Sequence, residues 1–430
     1  MNVLNKEYLH NVYFNAEQIK DLEISLSLLL DQYVEENPLF FNKENYMDEL
    51  DNFVLTNVLP LFDIELIEEM ENLHYEKNII YLQIKDIYQN IKKYNFTQQY
   101  PVRSFSKTFI RKYPNVDVIK EKISIIRNKY QPEQKSDEWY MFRHKIITAS
   151  SAWKIFKTQS YINQIILEKC KPFQIEKYHS FNIESPLHHG QKYEPLSIMF
   201  YEKKFETTVE DFGCILHDNY SYLGASPDGI NIDYNSDRYG RMLEIKNPTS
   251  REITGIPKED YWIQMQLQME TCNLNECDFL ETSFKEYDNE EEFLEDGSFE
   301  FTKTGKLKGI IIHFIKDEKP LYEYMPLYCT KSEYDKWFEN IIDKNSHLTW
   351  VKNIYWRLEK YSCVLVLRNK FWFSHAIKKI EEVWKIIEQE KITGYEHRLP
   401  KKITRSRSNS LPNMNNVNKK CLINISDLLL

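Results

Sequence analysis

The sequence predicts an α/β protein in which a central mixed sheet is flanked by helices and preceded by an all-helical N-terminal domain. All ten glycines lie at or after Gly190. Residues 1–130 are glycine-free and repeat apolar residues at helical spacing, as in Ile19–Tyr33. Near the middle, residues 222–229 and 241–248 read as two strands separated by turn residues. These observations divide the chain into a helical N-terminal domain (1–130), an α/β core (131–345), a helical C-terminal extension (346–400) and a disordered basic tail (401–430).

Composition narrows the class of protein. A length of 430 residues predicts two or three domains, and 42% hydrophobic with 28% charged residues is typical of globular proteins. No apolar run approaches the ~20 residues of a membrane helix and no secretion signal is visible, so we expect an intracellular protein that does not enter membranes. The net charge of −9 confines any nucleic-acid contact to a local groove. The seven scattered cysteines lack a Cys-x-x-Cys pair, which argues against zinc ribbons and favours reduced thiols.

The two central segments carry a pattern of charged residues. Pro227-Asp228 is followed sixteen positions later (244 − 228) by Glu244-x-Lys246. Because side chains alternate along a strand, Glu244 and Lys246 share one face while Ile245 points to the other. If the segments pair, the carboxylates of Asp228 and Glu244 converge, and two hard oxygen ligands suit Mg²⁺ or Mn²⁺. Lys246 would then orient a water or steady a phosphate. An ordinary hairpin with a surface Glu–Lys pair would give the same pattern, which is very common.

Three further blocks accompany this pattern in a fixed order along the chain. They are Trp139–Arg143 with Ile147–Ser150, then His189–Glu194, and, after the central pattern, Tyr261–Met269. With Ser226-Pro-Asp-Gly229 and Glu244-Ile-Lys246, the sequence resembles the PD-(D/E)XK nucleases, and within them the lambda-exonuclease and YqaJ-type viral recombinases. The resemblance covers residues 134–285 and implies a PD-(D/E)XK restriction-endonuclease-like core.

The resemblance implies functional roles for individual residues. Without it, the Glu and Gln residues of helices would be expected simply to face solvent. The implied catalytic residues are Asp228, Glu244, Lys246 and Gln264. The implied metal ligands are Glu194, Asp228, Glu244 and the carbonyl of Ile245. The implied anchors for a DNA phosphate are Arg143, Ser150 and Ser226.

We therefore expect a Mg²⁺-dependent DNA exonuclease, with Mn²⁺ as a possible substitute, that hydrolyses linear duplex DNA from its ends. The implied setting is recombination or repair of viral DNA in the host cytoplasm or nucleus, beside a single-strand annealing protein. A 5′-phosphate anchor would set a 5′→3′ direction. Two alternatives stay open: a structure-selective endonuclease on the same core, and a non-catalytic DNA-binding scaffold. The sequence leaves the oligomeric state open.

Overall fold

The N-terminal part of the chain is helical. The structure, a computed structural model, describes residues 13–62, 64, 75–105, 115–175, 183, 185–317 and 319–399. Helix α1 begins after an Asn15 capping box and buries Leu22, Leu26, Leu30 and Val34, at the spacing that its sequence predicts. The helices that precede the core are α1 Ala16–Glu36, α2 Tyr46–Val58, α3 Tyr75–Ile91, α4 Thr97–Gln99 and α5 Val116–Asn128.

A mixed α/β core follows, which confirms the predicted fold class. A seven-stranded sheet has the order β2-β5-β6-β7-β10-β8-β9, and a small sheet has the order β1-β4-β3. In the large sheet, β6 and β7 run parallel and the other neighbours are antiparallel. The strands are β1 Ile147–Thr148, β2 Val209–Glu210, β3 Ile215–Leu216, β4 Leu223–Ala225, β5 Gly229–Asn231, β6 Met242–Lys246, β7 Glu276–Glu286, β8 Lys308–Lys316, β9 Lys319–Tyr324 and β10 Thr349–Leu367.

Helices lie between and after these strands. Helix α9 packs on β6 and β7, and α10 packs against β4 and the turn of helix α7. The helices of the core and the C-terminal region are α6 Asp137–His144, α7 Ala149–Ala152, α8 Gln159–Cys170, α9 Pro186–Phe205, α10 Glu259–Cys272, α11 Glu290–Glu295, α12 Lys331–Lys344 and α13 Lys370–Thr393. Among the described residues, no helix combines the length and apolar character that a bilayer crossing requires.

The prediction of a helical C-terminal extension is wrong for the first half of that extension. Residues 349–367 form the longest strand, β10, which lies inside the large sheet between β7 and β8. Ile354, Trp356 and Leu358 are buried at every second position, a strand period that the density of aromatic residues concealed. The second half is helical, as α13. The predicted disordered tail at 401–430 lies outside the described residues, and the predicted domain boundaries stay predictions.

The N-terminal helices and the α/β core share one hydrophobic interior. One buried cluster contains Leu26 of α1, Ile84 of α3, Trp262 of α10 and Trp372 of α13. The indole Nε1 of Trp372 also donates to Asn42 Oδ1 at 2.6 Å. Burying these apolar surfaces together is the main stabilising contribution at this junction.

A buried arginine joins the same two parts. Arg103 Nε donates to the carbonyl of Pro257 at 2.7 Å, and its Nη1 donates to the carbonyls of Phe41 and Lys43 at 3.0 and 2.9 Å. Burial lowers the pKa of Arg103 to about 10, so the guanidinium is charged at neutral pH. It therefore holds the segment after β6 against the N-terminal helices.

We expect Arg103→Ala to reduce the free energy of unfolding by about 3 kcal/mol, because three carbonyl oxygens, two of them in buried contacts, lose their donor. Urea unfolding followed by tryptophan fluorescence measures the change. Arg127→Ala is the matched control, since both members of the Arg127–Glu210 pair are partly exposed to solvent and its loss should cost less than about 1 kcal/mol. Equal losses in the two variants would contradict the role of Arg103.

Candidate active site

Strand pairing brings the two predicted carboxylates together. Asp228 lies at a bend directly before β5, and β5 pairs antiparallel with β6 so that Gly229 faces Leu243. Backbone N–H of Ile245 donates to Asp228 Oδ2 at 2.7 Å, which fixes the aspartate beside the strand that carries Glu244. A Cβ on Gly229 would lie 2.1 Å from a methyl of Val209, so β2 can pair this closely only with glycine there. The predicted convergence is therefore present.

Glu244 and Lys246 form an ion pair on one face of β6. Glu244 is fully buried, and its Oε1 lies 2.5 Å from Lys246 Nζ. Its Oε2 accepts a hydrogen bond of 2.7 Å from Gln268 Nε2. Burial opposes the charge of Lys246, but the nearby Glu244 and Asp228 carboxylates outweigh it and raise the lysine pKa above its ordinary value. Lys246 is therefore an ammonium at neutral pH.

Asp228 sits where negative charge accumulates. Desolvation raises its pKa well above the ordinary value, and the charges of Glu244 and Glu194 raise it further. Lys246 and the Ile245 N–H act in the opposite direction. Glu194 projects from α9 into the same region, where its Oε1 lies 3.4 Å from Lys135 Nζ. The site therefore holds three carboxylates near two lysine side chains, so negative charge is in excess.

The three predicted phosphate anchors also come together. Arg143 Nη2 donates to Ser150 Oγ at 3.0 Å, and Arg143 Nη1 donates to Ser226 Oγ at 3.3 Å. Trp139 Nε1 donates to the same Ser226 hydroxyl at 3.2 Å, and the Arg143 guanidinium stacks 4.1 Å from the Trp139 ring centroid. Because Ser226 lies only two residues before Asp228, the cluster of hydroxyls and guanidinium lies next to the acidic cluster.

A cleft of about 520 Å³ opens over the acidic cluster. Glu194, Asp228 and Lys246 line it, together with Arg251 and Tyr261. Its remaining wall is the N-terminal turn of α9 and the segment that follows β6. The cleft is open to solvent and carries charged side chains of both signs, so a charged polymer strand could enter it.

A divalent cation suits the donors in this cleft. Glu244 Oε1 is buried and lies 2.5 Å from Lys246 Nζ. Desolvation, and then the charges of Glu244 and Glu194, raise the pKa of Asp228, and a bound cation would offset these charges. Nowhere among the described residues do three His, Cys, Asp or Glu side chains form a ready metal-binding group. Two carboxylates fit Mg²⁺ nonetheless, because Mg²⁺ commonly binds one or two carboxylates and completes its shell with water and substrate phosphate.

The glutamine beside Glu244 is Gln268, which the sequence reasoning passed over in favour of Gln264. Gln268 Nε2 donates both to Glu244 Oε2 and, at 3.3 Å, to the carbonyl of Ser226. It therefore connects the acidic cluster to the chain segment of the phosphate anchors. Gln264 is buried one turn earlier on the same helix. The spacing of Tyr261, Gln264 and Gln268 on one helical face was the available signal, and it does not say which turn reaches Glu244.

Comparison with known proteins gives three findings. Residues 138–275 match the family model of the YqaJ-like viral recombinase domain. An uncharacterized protein of Acanthamoeba polyphaga mimivirus is 33% identical over 326 residues, which is 66% of this chain and 57% of that protein. Two crystal structures of an alkaline exonuclease from Laribacter hongkongensis, one of them in complex with dAMP, align over 60% of this chain and 94% of theirs, at 18% identity and a TM-score of 0.34. The family match confirms the resemblance seen in the sequence.

We expect Asp228→Asn to raise the midpoint of thermal unfolding by a few degrees in metal-free buffer. An acid whose pKa is higher in the folded state loses stabilising free energy as pH rises through that pKa, and the amide removes this loss. The gap between the proteins should therefore widen with pH. Added Mg²⁺ should stabilise the wild type and not the variant.

Calorimetry at several pH values, with and without Mg²⁺, measures both effects. Asp218→Asn is the control, because Asp218 is exposed and pairs with Lys129. A metal-free Asp228→Asn protein less stable than wild type at every pH would contradict the charge excess at this site.

Proposed function

We propose that this chain is a metal-dependent deoxyribonuclease that degrades linear duplex DNA from its ends, since residues 138–275 match the family model of the YqaJ-like viral recombinase domain. The observation that carries the proposal is the meeting of Asp228 and Lys246, which line one open cleft, with the buried Glu244 that pairs with Lys246. The reaction is hydrolysis of a phosphodiester by water. Mg²⁺ is the proposed cofactor, with Mn²⁺ able to replace it.

Asp228 and Glu244 would hold the metal, assisted by the Ile245 carbonyl and by Glu194 from across the cleft. A bound divalent cation would lower the pKa of a water molecule and offset the charge of the phosphate. Gln268 fixes Glu244 through Oε2, so that Oε1 is kept toward Lys246. Asp228 is fixed in turn by the Ile245 N–H. Such preorganised groups need little rearrangement when the reaction occurs.

Lys246 acts in this scheme through its charge. The neighbouring carboxylates raise its pKa, so it holds its proton at neutral pH and cannot serve as a general base in that state. An ammonium at this position stabilises the negative charge that builds on the phosphate oxygens as water attacks. It also orients a water by donating a hydrogen bond.

The Arg143, Ser150 and Ser226 cluster would bind the 5′-terminal phosphate of a DNA end. A guanidinium with two hydroxyls offers several donors to one phosphate group, and Arg binds phosphate in a forked geometry. Because Ser226 is two residues from Asp228, a phosphate held there would place the adjoining nucleotide near the acidic cluster. Resection would then run 5′→3′ and leave a 3′ overhang for a single-strand annealing protein.

The viral source of the 33% identical relative supports a role in recombination or repair of viral DNA inside the host cell. The chain matches 57% of that protein's length, so this setting belongs to the proposal.

We expect Asp228→Asn and Lys246→Gln each to slow Mg²⁺-dependent hydrolysis of linear duplex DNA by at least about 100-fold, since each removes a charge that acts in the transition state. End-labelled duplex, with and without Mg²⁺, gives the rates. Lys360→Gln, an exposed lysine outside the cleft, is the control and should keep full activity. Full activity in either site variant would place the reaction elsewhere, and cleavage of closed circular DNA would indicate an endonuclease.

We expect Arg143→Gln to slow hydrolysis from 5′-phosphate ends about tenfold or more, because a charged hydrogen bond to phosphate is lost. Hydrolysis from 5′-hydroxyl ends should change little. The measured quantity is the ratio of the two rates, which is above one for the wild type and near one for the variant. Arg357→Gln, whose partner is Glu359 on β10, is the matched control. Equal slowing on both kinds of end would argue against a 5′-phosphate anchor.

A further inference from the structure

A second cationic group lines the cleft beside Lys246. Arg251 lies in the segment after β6 and pairs with Glu281 of β7, with 2.5 Å between Arg251 Nη1 and Glu281 Oε1. Glu281 is the register partner of Lys246 on the neighbouring parallel strand. The ring of Tyr261 lies 5.0 Å from Lys246 Nζ and 5.3 Å from the Arg251 guanidinium. One aromatic ring therefore contacts both cations at the cleft wall.

Glu281 is an unusual partner for a surface arginine. Its side chain is 1% exposed, and neither carboxylate oxygen accepts a hydrogen bond within the described residues. A buried carboxylate without hydrogen bonds is costly unless a counter-charge lies beside it, so Arg251 cannot swing away freely. The guanidinium has five N–H donors, and Glu281 occupies one edge of it. Its Nη2 is buried and makes no hydrogen bond in the described part of the chain, whereas the side chain as a whole lines the cleft and keeps 22% of its surface exposed.

The segment that carries Arg251 is fixed at three places. At its start, Asn247 Oδ1 accepts hydrogen bonds from Ser197 and Thr282. In its middle, Arg251 meets Glu281. Near its end, the carbonyls of Gly255 and Pro257 accept from Ser104 and Arg103 of the N-terminal region. A segment without regular secondary structure is thus held in one conformation, which is the preorganisation that a binding group needs.

We propose that Arg251, anchored by Glu281, is a second phosphate-binding point of the cleft and takes a backbone phosphate of the nucleic-acid strand next to the one at Lys246. This inference rests on the proposed function for the identity of the strand. Its ligand is a phosphodiester, because a charged guanidinium that Glu281 fixes at the cleft wall can donate to an anionic oxygen of a strand in the cleft. It would add one contact to the path of the strand, in the cleft that Lys246 also lines.

The test measures binding of a short fluorescent duplex with 5′-phosphate ends by anisotropy, in EDTA and over a range of salt concentrations. All proteins carry Asp228→Asn to prevent turnover. We expect Arg251→Gln to raise the Kd about tenfold or more, since a charged hydrogen bond is lost. The slope of log K against log salt should fall in magnitude by about 0.9, which is the loss of one phosphate contact. Arg357→Gln should change neither quantity.

An Arg251→Gln protein with unchanged Kd and slope would overturn the inference, and so would an equal effect in Arg357→Gln. Thermal unfolding establishes that each variant is folded. If Arg251→Gln does not fold, Arg251→Lys decides: it keeps the charge and the slope but lacks the planar fork, so its Kd should rise several-fold. If the Arg251→Lys protein then binds with the same Kd as the protein that keeps Arg251, the proposed phosphate-binding point is refuted.

The outcomes also separate this subsite from the nuclease proposal. A wild-type protein that hydrolyses DNA, with Arg251→Gln binding as before, refutes the subsite alone. A wild-type protein that hydrolyses no DNA, with Arg251→Gln binding more weakly, refutes the nuclease and supports the phosphate-binding point.

Discussion

The pairing of β5 with β6 is the constraint on which the site depends. It places Asp228 against the backbone of Ile245 and next to Glu244, although the two acids are separated by a long polar connection in the chain. That arrangement is electrostatically unfavourable by itself, because like charges meet at a desolvated point. Lys246 and Gln268 compensate part of the cost through the ion pair and hydrogen bond that they make with Glu244.

The rest of the fold keeps this arrangement rigid. Strand β7 lies parallel to β6, and its Asp278 pairs with Arg241 and with Arg238 of the connection, so the connection between β5 and β6 is held against β7. On the other side, Arg103 and Ser104 of the N-terminal region bind the segment that borders the cleft. The N-terminal helices therefore share the hydrophobic interior of the core, and Arg103 and Ser104 of the N-terminal region support one wall of the cleft.

Much of the site could be predicted from short-range pattern. Alternation along a strand puts Glu244 and Lys246 on one face, and Gly and Pro around Asp228 mark the bend, so these residues follow from local chemistry. The meeting of Arg143, Ser150 and Ser226 was visible only through resemblance, since no local rule brings positions 143 and 226 together. Gln268 was missed because a helical face names several candidates, and only the packed structure selects the turn that reaches Glu244.

The fold was less predictable at β10. Its position in the middle of the sheet depends on partners far away along the chain, β7 and β8, and its aromatic residues are compatible with a helix or a strand. The Arg251–Glu281 pair could not be predicted for the same reason, because its two members meet only when β7 lies beside β6. Long-range strand pairing is thus the step that the sequence alone did not supply.

The central claim is that Asp228 and Glu244 share one divalent cation. The most direct measurement is anomalous diffraction from crystals of the protein grown with Mn²⁺. The account predicts an anomalous peak within coordination distance of both carboxylates, at the cleft beside the Ile245 carbonyl. A peak at other side chains only, or ordered crystals in which these carboxylates hold no Mn²⁺ at saturating concentration, would contradict it.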